Sequence, residues 1–409
     1  MQINVPANSD FSIHNLPFGI FSTKAKKARI GVAYGDYILD LYALSKLGYF
    51  DDLGFSKKVL KKKYLNTFIG LGKTVTNAVR QRIQNLLSNP DSPLKEATGI
   101  FENRLEARMH LPIKVGDYTD FYSSYEHAAN AGKMFGDPEN PLMPNWKHLP
   151  VGYHGRASSI IVSGEPVRRP KGQVMPEGAT SPIFQPAGYL DFELEMAFII
   201  GKDNPLGNSV STADAEDYIF GMVLFNDWSA RDIQLWEYVP LGPFLAKSFA
   251  SSISPWVVTM AALEPFRVAG PPQEPEVLPY LQYTGAKNLA INLEVGLTPE
   301  GGEESIICQS NFKYMYWNMN QQLAHHTVNG CNVKVGDMMA SGTISGKDES
   351  SFGSMLELSW AGTKKIPLKD GKERVFMEDG DTISMRGYAE KDGIRVGFGE
   401  VTGKILPAL

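Results

Sequence analysis

One acidic segment limits the folds and functions open to this chain more than any other feature. It reads Asp191-Phe192-Glu193-Leu194-Glu195-Met196 and continues as an apolar run through Ile200. Because side chains alternate between the two faces of an extended strand, the three acidic residues fall on one face and the apolar residues on the other. Three neighbouring carboxylates repel one another unless a cation or solvent compensates their charge.

Two interpretations of this segment stay open from the residues alone. In the first, the carboxylate oxygens bind a hard divalent cation, which prefers oxygen ligands. In the second, the segment is an amphipathic strand whose acidic face lies in water. Both interpretations place the strand beside a core, because its continuation is apolar.

Composition indicates an ordinary globular protein with no nucleic-acid partner. The chain has 409 residues, 43% hydrophobic and 21% charged residues, and a formal net charge of −5. This length is comfortable for two domains. The lysine cluster between Lys57 and Lys63 is typical of a solvated helix face, and no basic stripe with interleaved aromatic residues accompanies it. The chain also contains no GxSxG, HExxH or GxGxxG motif.

Cysteine usage and hydropathy predict a cytoplasmic protein without a membrane partner. Cys308 and Cys331 have no CxxC spacing, which argues against a disulfide framework or a zinc site and fits a reducing compartment. The first ten residues are polar, so we expect no signal peptide. No apolar run approaches the roughly 18 residues that a membrane span needs.

The order of elements predicts a small N-terminal domain followed by a larger, mainly β domain with some α. Residues 56–88 form the best helical stretch, and the character of the chain changes between residues 112 and 117. Downstream, alternating and apolar segments predict strands. These segments are residues 159–162, 191–200, 291–295, 355–360 and 382–388. We therefore place domains at residues 1–115 and 116–409.

A first candidate site lies around Asp120 and His127. If this stretch is helical, the two residues are seven apart and share a face, as metal chemistry or acid–base chemistry would require. The alternative is that His127 is a structural histidine. We interpret the remaining candidate histidines as structural; they are His148, His154, His325 and His326.

A second candidate follows an apolar strand that ends at Phe225. Asp227, Arg231, Gln234 and Tyr238 have helical spacing, which predicts one polar helix face projecting from the strand end. The alternative is a helix N-terminus that Asp227 caps. A cap does not require an arginine and a glutamine on the same stripe.

Two further charged residues interrupt apolar segments. Lys247 either extends its ammonium to water or is a desolvated cation that stabilises a developing anion. Glu357 lies in a segment with period-two alternation, residues 355–360, and is either solvated or holds a histidine in the right tautomer.

Six long motifs in order resemble the fumarylacetoacetate hydrolase (fumarylacetoacetase) family over nearly the whole chain. They are YTDFYSS at 118–124, PVGYHGRASS at 150–159, DFELEMAF at 191–198, NDWSARDIQ at 226–234, SGTISG at 341–346 and FGSMLELSW at 352–360. The resemblance implies an SH3-like N-terminal barrel, a mixed β-sandwich roll as the catalytic domain, and a homodimer.

The resemblance also implies an activity, a cofactor and a set of site residues. The reaction is hydrolysis of a carbon–carbon bond in a dicarboxylate 1,3-diketone, giving fumarate and acetoacetate in the last step of tyrosine and phenylalanine degradation.

The implied cofactor is Ca²⁺ or Mg²⁺. Its ligands would be Asp120, Glu193, Glu195 and Asp227, with magnesium also near Lys247 and Ser251. The water-activating base would be His127, oriented by Glu357. The groups that stabilise substrate charge would be Arg231, Gln234 and Lys247. The other substrate-binding residues, beside Gln234, would be Tyr122, Tyr153, Tyr238 and Thr343.

The chain departs from the family pattern at three positions. Gly136 stands where the family commonly has an arginine that helps to bind a substrate carboxylate, and Lys133 is a possible replacement. Ala250 replaces a usual glycine, and Ser251 replaces a usual threonine while keeping its hydroxyl. Two other functions stay open: a related acylpyruvate or diketone-acid hydrolase, decarboxylase or hydratase, and a non-catalytic binding protein on the same fold.

Overall fold

The structure, a computed structural model, describes residues 5, 6, 8–95 and 97–409. The expectation that the first ten residues carry no signal peptide falls partly on residues 1–4 and 7, which lie outside this part of the chain. Within the described residues the protein is mainly β, as the sequence predicts, and its sheets are mixed.

The elements are numbered in chain order. The strands are β1 (Phe18–Ser22), β2 (Arg29–Tyr34), β3 (Tyr37–Asp40), β4 (Phe101–Asn103), β5 (Arg108–His110), β6 (Tyr118–Phe121), β7 (Gly152–His154), β8 (Ile160–Val162), β9 (Val167–Arg168), β10 (Lys171–Val174), β11 (Ile183–Pro186), β12 (Leu190–Asp191), β13 (Leu194–Ile200), β14 (Ile219–Asp227), β15 (Ser229–Ala230), β16 (Ser251–Ile253), β17 (Trp256–Thr259), β18 (Arg267–Val268), β19 (Asn288–Leu289), β20 (Asn292–Thr298), β21 (Ser305–Asn311), β22 (Met338–Ala340), β23 (Ile366–Pro367), β24 (Glu373–Arg374), β25 (Thr382–Lys391) and β26 (Ile394–Leu406). The α-helices are α1 (Leu41–Lys46), α2 (Asn66–Ile69), α3 (Lys73–Ser88), α4 (Tyr125–Phe135), α5 (Ala215–Tyr218), α6 (Arg231–Glu237), α7 (Met260–Leu263), α8 (Met319–Thr327) and α9 (Met355–Leu358). Short 3₁₀ turns lie at Asp51–Leu53, Lys57–Lys61, Pro93–Lys95, Ala157–Ser159, Glu264–Phe266, Pro279–Leu281, Phe312–Tyr314 and Glu349–Ser351.

A large mixed sheet carries the segments from which the site is built. Its order along the main path is β4-β3-β2-β1-β17-β14-β13-β22-β6-β7. Strand β13 pairs antiparallel with β14 on one side and with β22 on the other, and β22 pairs parallel with β6. This order places β6 and β14 on opposite sides of the acidic segment.

The two faces of β13 are both covered, which explains why the whole strand is buried. Leu194, Met196 and the next alternate side chains join the largest core cluster. Ala197 and Ile199 point to the other face and join a second cluster, built mainly from N-terminal residues. Glu193 and Glu195 share that second face by the same alternation, so they are covered by protein and not by water.

A second sheet packs across the largest core cluster and completes the sandwich. Its order is β21-β20-β25-β26-β9, with antiparallel pairs except for the parallel pair of β26 and β9. Its core-facing side chains include Leu293, Val295, Met385 and Val401, which pack with Leu224 of the first sheet in that cluster. Strands predicted near residues 160, 293 and 385 are therefore present as β8, β20 and β25.

The N-terminal strands continue the large sheet. Strands β1 to β4 pair antiparallel in sequence order, β5 also pairs with β1, and β1 joins β17 of the later chain. The predicted helical stretch at residues 56–88 is divided into the turn at Lys57–Lys61, α2 and α3. Gly72, with a φ of 85°, separates the last two because this left-handed conformation favours glycine.

One predicted strand is wrong. Residues 355–358 form the short helix α9 and not a strand, so Glu357 lies on a helix. The Ser354 hydroxyl caps this turn by accepting a hydrogen bond from the Glu357 backbone N–H at 3.3 Å. Period-two alternation over so few residues does not distinguish a strand from one helical turn. None of the described helices has the length and apolar character that crossing a bilayer would need.

Candidate metal centre and active site

Four buried carboxylates converge where three strands of the large sheet end. One oxygen of each lies within 4.8 Å of the others, which is the arrangement a metal ion requires. The register explains the convergence, because Ala340 of β22 pairs with Ala197 of β13 and with Asp120 of β6. The four residues are Asp120 of β6, Glu193 before β13, Glu195 in β13 and Asp227 at the end of β14.

Two of these carboxylates are already compensated by cations of the protein. Arg231 Nη1 lies 2.8 Å from Glu193 Oε1, and Lys247 Nζ bonds the other oxygen of Glu193. Lys247 also lies 2.9 Å from Asp227 Oδ2. The Tyr153 hydroxyl donates to the same oxygen at 3.0 Å, and the Ser251 hydroxyl donates to Asp227 Oδ1 at 2.8 Å. Burial acts to raise the pKa of Glu193, but Lys247 and Arg231 outweigh it and hold that pKa below its ordinary value.

The other two carboxylates lack such compensation. Asp120 Oδ1 and Glu195 Oε1 are buried and have no hydrogen-bond partner among the described residues. Burial and the neighbouring carboxylates raise the pKa of Asp120 and of Glu195 well above the ordinary values. Uncompensated buried carboxylates with only oxygen donors are what a divalent cation would satisfy. The residues present therefore fit a metal ion.

A buried histidine–carboxylate pair lies beside the cluster. His127 Nδ1 and Glu357 Oε2 are 2.7 Å apart, and both side chains are buried. Burial acts to raise the pKa of Glu357, but His127 and the surrounding hydrogen bonds hold it below the ordinary value. An ionised carboxylate only accepts, so Nδ1 donates to it, and in the neutral imidazole Nε2 is then the nitrogen with the free lone pair.

Glu357 is held by three further donors that sequence reasoning missed. The Asn130 amide donates to Oε1 at 2.9 Å, and the hydroxyls of Ser345 and Ser354 each donate to Oε2 at 2.9 Å. Asn130 follows His127 by three residues on α4, so the two side chains share a helix face. That spacing was the sequence signal that could have identified Asn130.

The remaining predicted site residues differ in how closely the structure brings them to this centre. Tyr122 packs edge-on against the His127 ring at a centroid distance of 5.2 Å. Thr343 Oγ1 is buried without a partner among the described residues, one residue after Gly342, whose N–H donates to Glu195. Gln234 accepts from Arg231 at 3.1 Å. Tyr238 follows the last residue of α6 and is half exposed.

Three interpretations that the sequence left open are settled by burial and helix geometry. The acidic face of residues 191–196 does not lie in water, because all three carboxylates are buried. Lys247 does not extend to solvent, because it bonds two buried carboxylates. Asp227 is neither on helix α6 nor its cap: it ends β14, and the residue before the helix is Ala230, which forms no side-chain cap.

The positions that depart from the family pattern are accommodated by the backbone. Ala250 is buried and is not among the described non-glycine residues with positive φ. Gly136 terminates α4 at an exposed position with a φ of −129°, outside the left-handed region. Lys133 is also exposed.

Comparison with known proteins identifies the family. The family model described as "Fumarylacetoacetate (FAA) hydrolase C-terminal" matches residues 118–405, and the family model described as "Fumarylacetoacetase N-terminal" matches residues 14–112. The chain is 54% identical to human fumarylacetoacetase and 53% identical to the fumarylacetoacetase of Caenorhabditis elegans, covering 99% or more of each chain. It is 47% identical to the Arabidopsis thaliana fumarylacetoacetase over 99% of this chain and 98% of the relative. The chain belongs to the fumarylacetoacetase family and is a hydrolase of that family.

Solved structures share the fold at low sequence identity. A fumarylacetoacetate hydrolase from psychrophilic Exiguobacterium antarcticum matches with a TM-score of 0.54 at 16% identity, over 96% of this chain and 99% of that chain. A maleylpyruvate hydrolase from a Sphingobium species matches with a TM-score of 0.51 at 15% identity, over 96% and 100% of the two chains. At this identity the likeness concerns the fold alone.

Proposed function

We propose that this protein hydrolyses fumarylacetoacetate to fumarate and acetoacetate, the last step of tyrosine and phenylalanine degradation. The observation that carries the proposal is the buried His127–Glu357 pair beside the four-carboxylate cluster. This pair occurs in a chain that is 54% identical, over its full length, to human fumarylacetoacetase.

The proposed cofactor is Mg²⁺ or Ca²⁺, held by Asp120, Glu193, Glu195 and Asp227. Support comes from the unpartnered oxygens of Asp120 and Glu195 and from the all-oxygen donor set. When bound, the cation adds positive charge beside these carboxylates and polarises the carbonyl groups of the substrate. Ser251 orients Asp227 through its 2.8 Å hydrogen bond. Lys247 can act near the cation only through its charge or its backbone carbonyl, since an ammonium has no lone pair.

His127 is the proposed base. Its Nδ1–H donates to Glu357, so Nε2 takes a proton from water as the water oxygen attacks the substrate's carbonyl carbon. The bond from that carbon to the adjacent methylene carbon then breaks, leaving fumarate and a carbanion that is stabilised as the enolate of acetoacetate. Protonated His127 returns the proton to this carbon, and the new carboxyl group of fumarate releases the second proton of the water to solvent, which balances the reaction.

Cationic side chains stabilise the negative charge that develops on the substrate's oxygens. Arg231 Nη2 is buried without a partner among the described residues, so this N–H donor is available. Lys247 uses two of its three N–H groups on Glu193 and Asp227, which leaves one for the substrate. The Gln234 amide fixes Arg231 from the partly exposed side. The proposed substrate-binding side chains are Tyr122, Tyr153, Gln234, Tyr238 and Thr343.

The experiment is turnover of purified protein on fumarylacetoacetate with Mg²⁺ or Ca²⁺, then with excess EDTA, beside acylpyruvates as alternative substrates. We expect turnover of fumarylacetoacetate that EDTA removes and added metal restores. Faster turnover of an acylpyruvate would assign the chain to a related diketone-acid hydrolase. Metal binding without turnover of any of these substrates would support a non-catalytic binding protein.

We also propose a homodimer in the cytoplasm, with a domain boundary between residues 115 and 116. Seven large apolar side chains are exposed within residues 235–245, in the last turn of α6 and the segment after it, and large exposed apolar patches are rare on monomers. The exposed members are Leu235, Trp236, Tyr238, Val239, Leu241, Phe244 and Leu245. A dimer mass in light scattering that Leu241→Asp with Phe244→Asp converts to a monomer mass would support pairing through this surface; an unchanged dimer would place the interface elsewhere. Both cysteines are free, which fits the cytoplasm.

A further inference from the structure

Asp191 belongs to the acidic segment but not to the metal cluster. Its side chain is fully buried, and both oxygens are already engaged by partners within the protein. It is absent from the group of carboxylates whose oxygens converge for a metal ion. A buried carboxylate is costly to keep in a fold unless its hydrogen bonds are satisfied, so its partners indicate its role.

The partners of Asp191 come from two separate parts of the active site. Oδ2 accepts from Arg231 Nε at 2.8 Å and from the Leu356 backbone N–H at 3.0 Å. Oδ1 accepts from the Met355 backbone N–H at 2.6 Å. One carboxylate therefore binds the guanidinium beside Glu193 and the first turn of the helix that carries Glu357.

The bond to Arg231 fixes the direction of its guanidinium. Nε is held by Asp191, and Nη1 is held by Glu193 and Gln234. Since the guanidinium is planar with donors in a fixed fork, these bonds determine where Nη2 points. Nη2 is the atom left free for the substrate.

The hydrogen bonds from Asp191 to α9 fix the position of the backbone from which the Glu357 side chain extends. The first N–H groups of a helix have no partner within the helix. Here Asp191 takes those of Met355 and Leu356, and Ser354 takes that of Glu357. Because α9 has only one turn, these caps set its orientation, and with it the path of the Glu357 side chain towards His127.

We propose that Asp191 is a positioning residue that aligns the anion-stabilising Arg231 with the base pair His127–Glu357. The proposal deepens and rests on the proposed function, because Arg231 and Glu357 have their roles there. Asp191 itself touches neither substrate nor base. Its loss would displace both arms of the site together, although Asp191 is not itself one of the four clustered carboxylates.

Asp191→Asn is the test variant, because it keeps the size of the side chain and replaces one acceptor oxygen by a donor amide. Asp381→Asn is the matched control. Asp381 is also fully buried, bonds Arg374 at two distances of 2.9 Å, and accepts the Glu378 backbone N–H at 2.8 Å, but contacts no proposed active-site residue by these bonds. Both variants lose a buried Asp–Arg pair, so both report the cost to folding.

The measurements are kcat and KM for fumarylacetoacetate in the metal-loaded protein, below the melting temperature of every variant. Outer partners of site residues typically contribute about 10- to 100-fold, so we expect Asp191→Asn to lower kcat by roughly that factor with a much smaller change in KM. Asp381→Asn should keep the wild-type kcat. If Asp191→Asn does not fold, Asp191→Ser, which is smaller and places no amide against Arg231, takes its place.

A double-mutant cycle separates positioning from a general structural role. We expect the kcat losses of Asp191→Asn and Arg231→Gln to combine less than multiplicatively, and the same for Asp191→Asn with Glu357→Gln, because each pair acts as a unit. Asp381→Asn should combine multiplicatively with both. A kcat for Asp191→Asn equal to that of the control, or losses that multiply, would overturn the inference while wild-type turnover upholds the proposed function. A wild type inactive on this substrate would refute both.

Discussion

Replacing Glu195 by glutamine should stabilise the metal-free protein, although Glu195 is a proposed metal ligand. Glu195 Oε1 has no partner among the described residues, and Oε2 accepts only the Gly342 N–H at 2.9 Å. A glutamine can keep that acceptor and cannot carry the charge whose burial and repulsion raise the pKa of Glu195. The repulsion is felt most from Asp120, because Lys247 and Arg231 already compensate the other two carboxylates.

The magnitude follows from the geometry of the cluster. Even at 4.8 Å, the largest separation between these ligand oxygens, two unit charges at an effective dielectric constant of about 20 repel by about 3.5 kcal/mol. Relaxation of the free protein lowers the net gain, so we expect Glu195→Gln to raise the unfolding free energy in EDTA by about 1 to 3 kcal/mol. In saturating metal the order should reverse: a wild type at about 1,000 times its Kd gains about 4.1 kcal/mol from binding, and the variant gains far less.

The assay is urea unfolding followed by tryptophan fluorescence, with EDTA and then with Mg²⁺ or Ca²⁺. Glu303→Gln is the control, because Glu303 is exposed and its replacement should change neither curve by more than a few tenths of a kcal/mol. A variant less stable than the wild type in EDTA would refute the idea that these carboxylates repel one another without metal. Equal stabilisation of both proteins by metal would refute Glu195 as a ligand.

Three further outcomes are expected. His127→Ala should lower kcat by about 10²- to 10⁴-fold and leave the circular dichroism spectrum unchanged, whereas His148→Ala, at an exposed position, should retain activity; near-normal turnover of the first variant would contradict the proposed base. Gly136→Arg should lower KM for fumarylacetoacetate by about tenfold, equal to about 1.4 kcal/mol, because it introduces at the end of α4 the arginine that in the family commonly helps to bind a substrate carboxylate; an unchanged KM would show that this position does not reach the substrate. Burial, with smaller effects of His154 and His325, lowers the pKa of His326 to about 4. In the unfolded chain this histidine has its ordinary pKa of about 6.5, so between about pH 6.5 and pH 4 the unfolded state binds more protons than the folded state. The free energy of unfolding should therefore fall by up to about 3 kcal/mol on acidification through this range, and by less in His326→Gln. Identical acid transitions of the two proteins would contradict this.

Sequence reasoning reached the site residues by two routes of different strength. The alternation in residues 191–196 predicted three carboxylates on one face and a possible cation, and the structure brings Glu193 and Glu195 together with Asp120 and Asp227. The other roles came from resemblance to the family. Asp227 and Arg231 are four residues apart, which suggested that they share a helix face. That interpretation was wrong, because strand β14 ends at Asp227 and helix α6 begins at Arg231.

The contacts around Glu357 could not be predicted from local patterns. Its partner His127 is 230 residues away in the chain and Asn130 is 227 residues away. Local alternation suggested a strand at residues 355–360, but the segment forms a helical turn that Ser354 and the distant Asp191 cap.

By itself the sequence determined the faces of the strands, the apolar core, and the presence of oxygen ligands, a histidine and cations on the segments that build the site. These properties depend on side-chain chemistry and on the period of the backbone, which are local. Tertiary structure alone decided which carboxylates are neutralised by Arg231 and Lys247, which are left without a cation, and that Asp191 pairs with Arg231 outside the four-carboxylate cluster. The physical reason is that pairing and burial arise between segments distant in the chain, brought together by the register of β6, β13, β14 and β22.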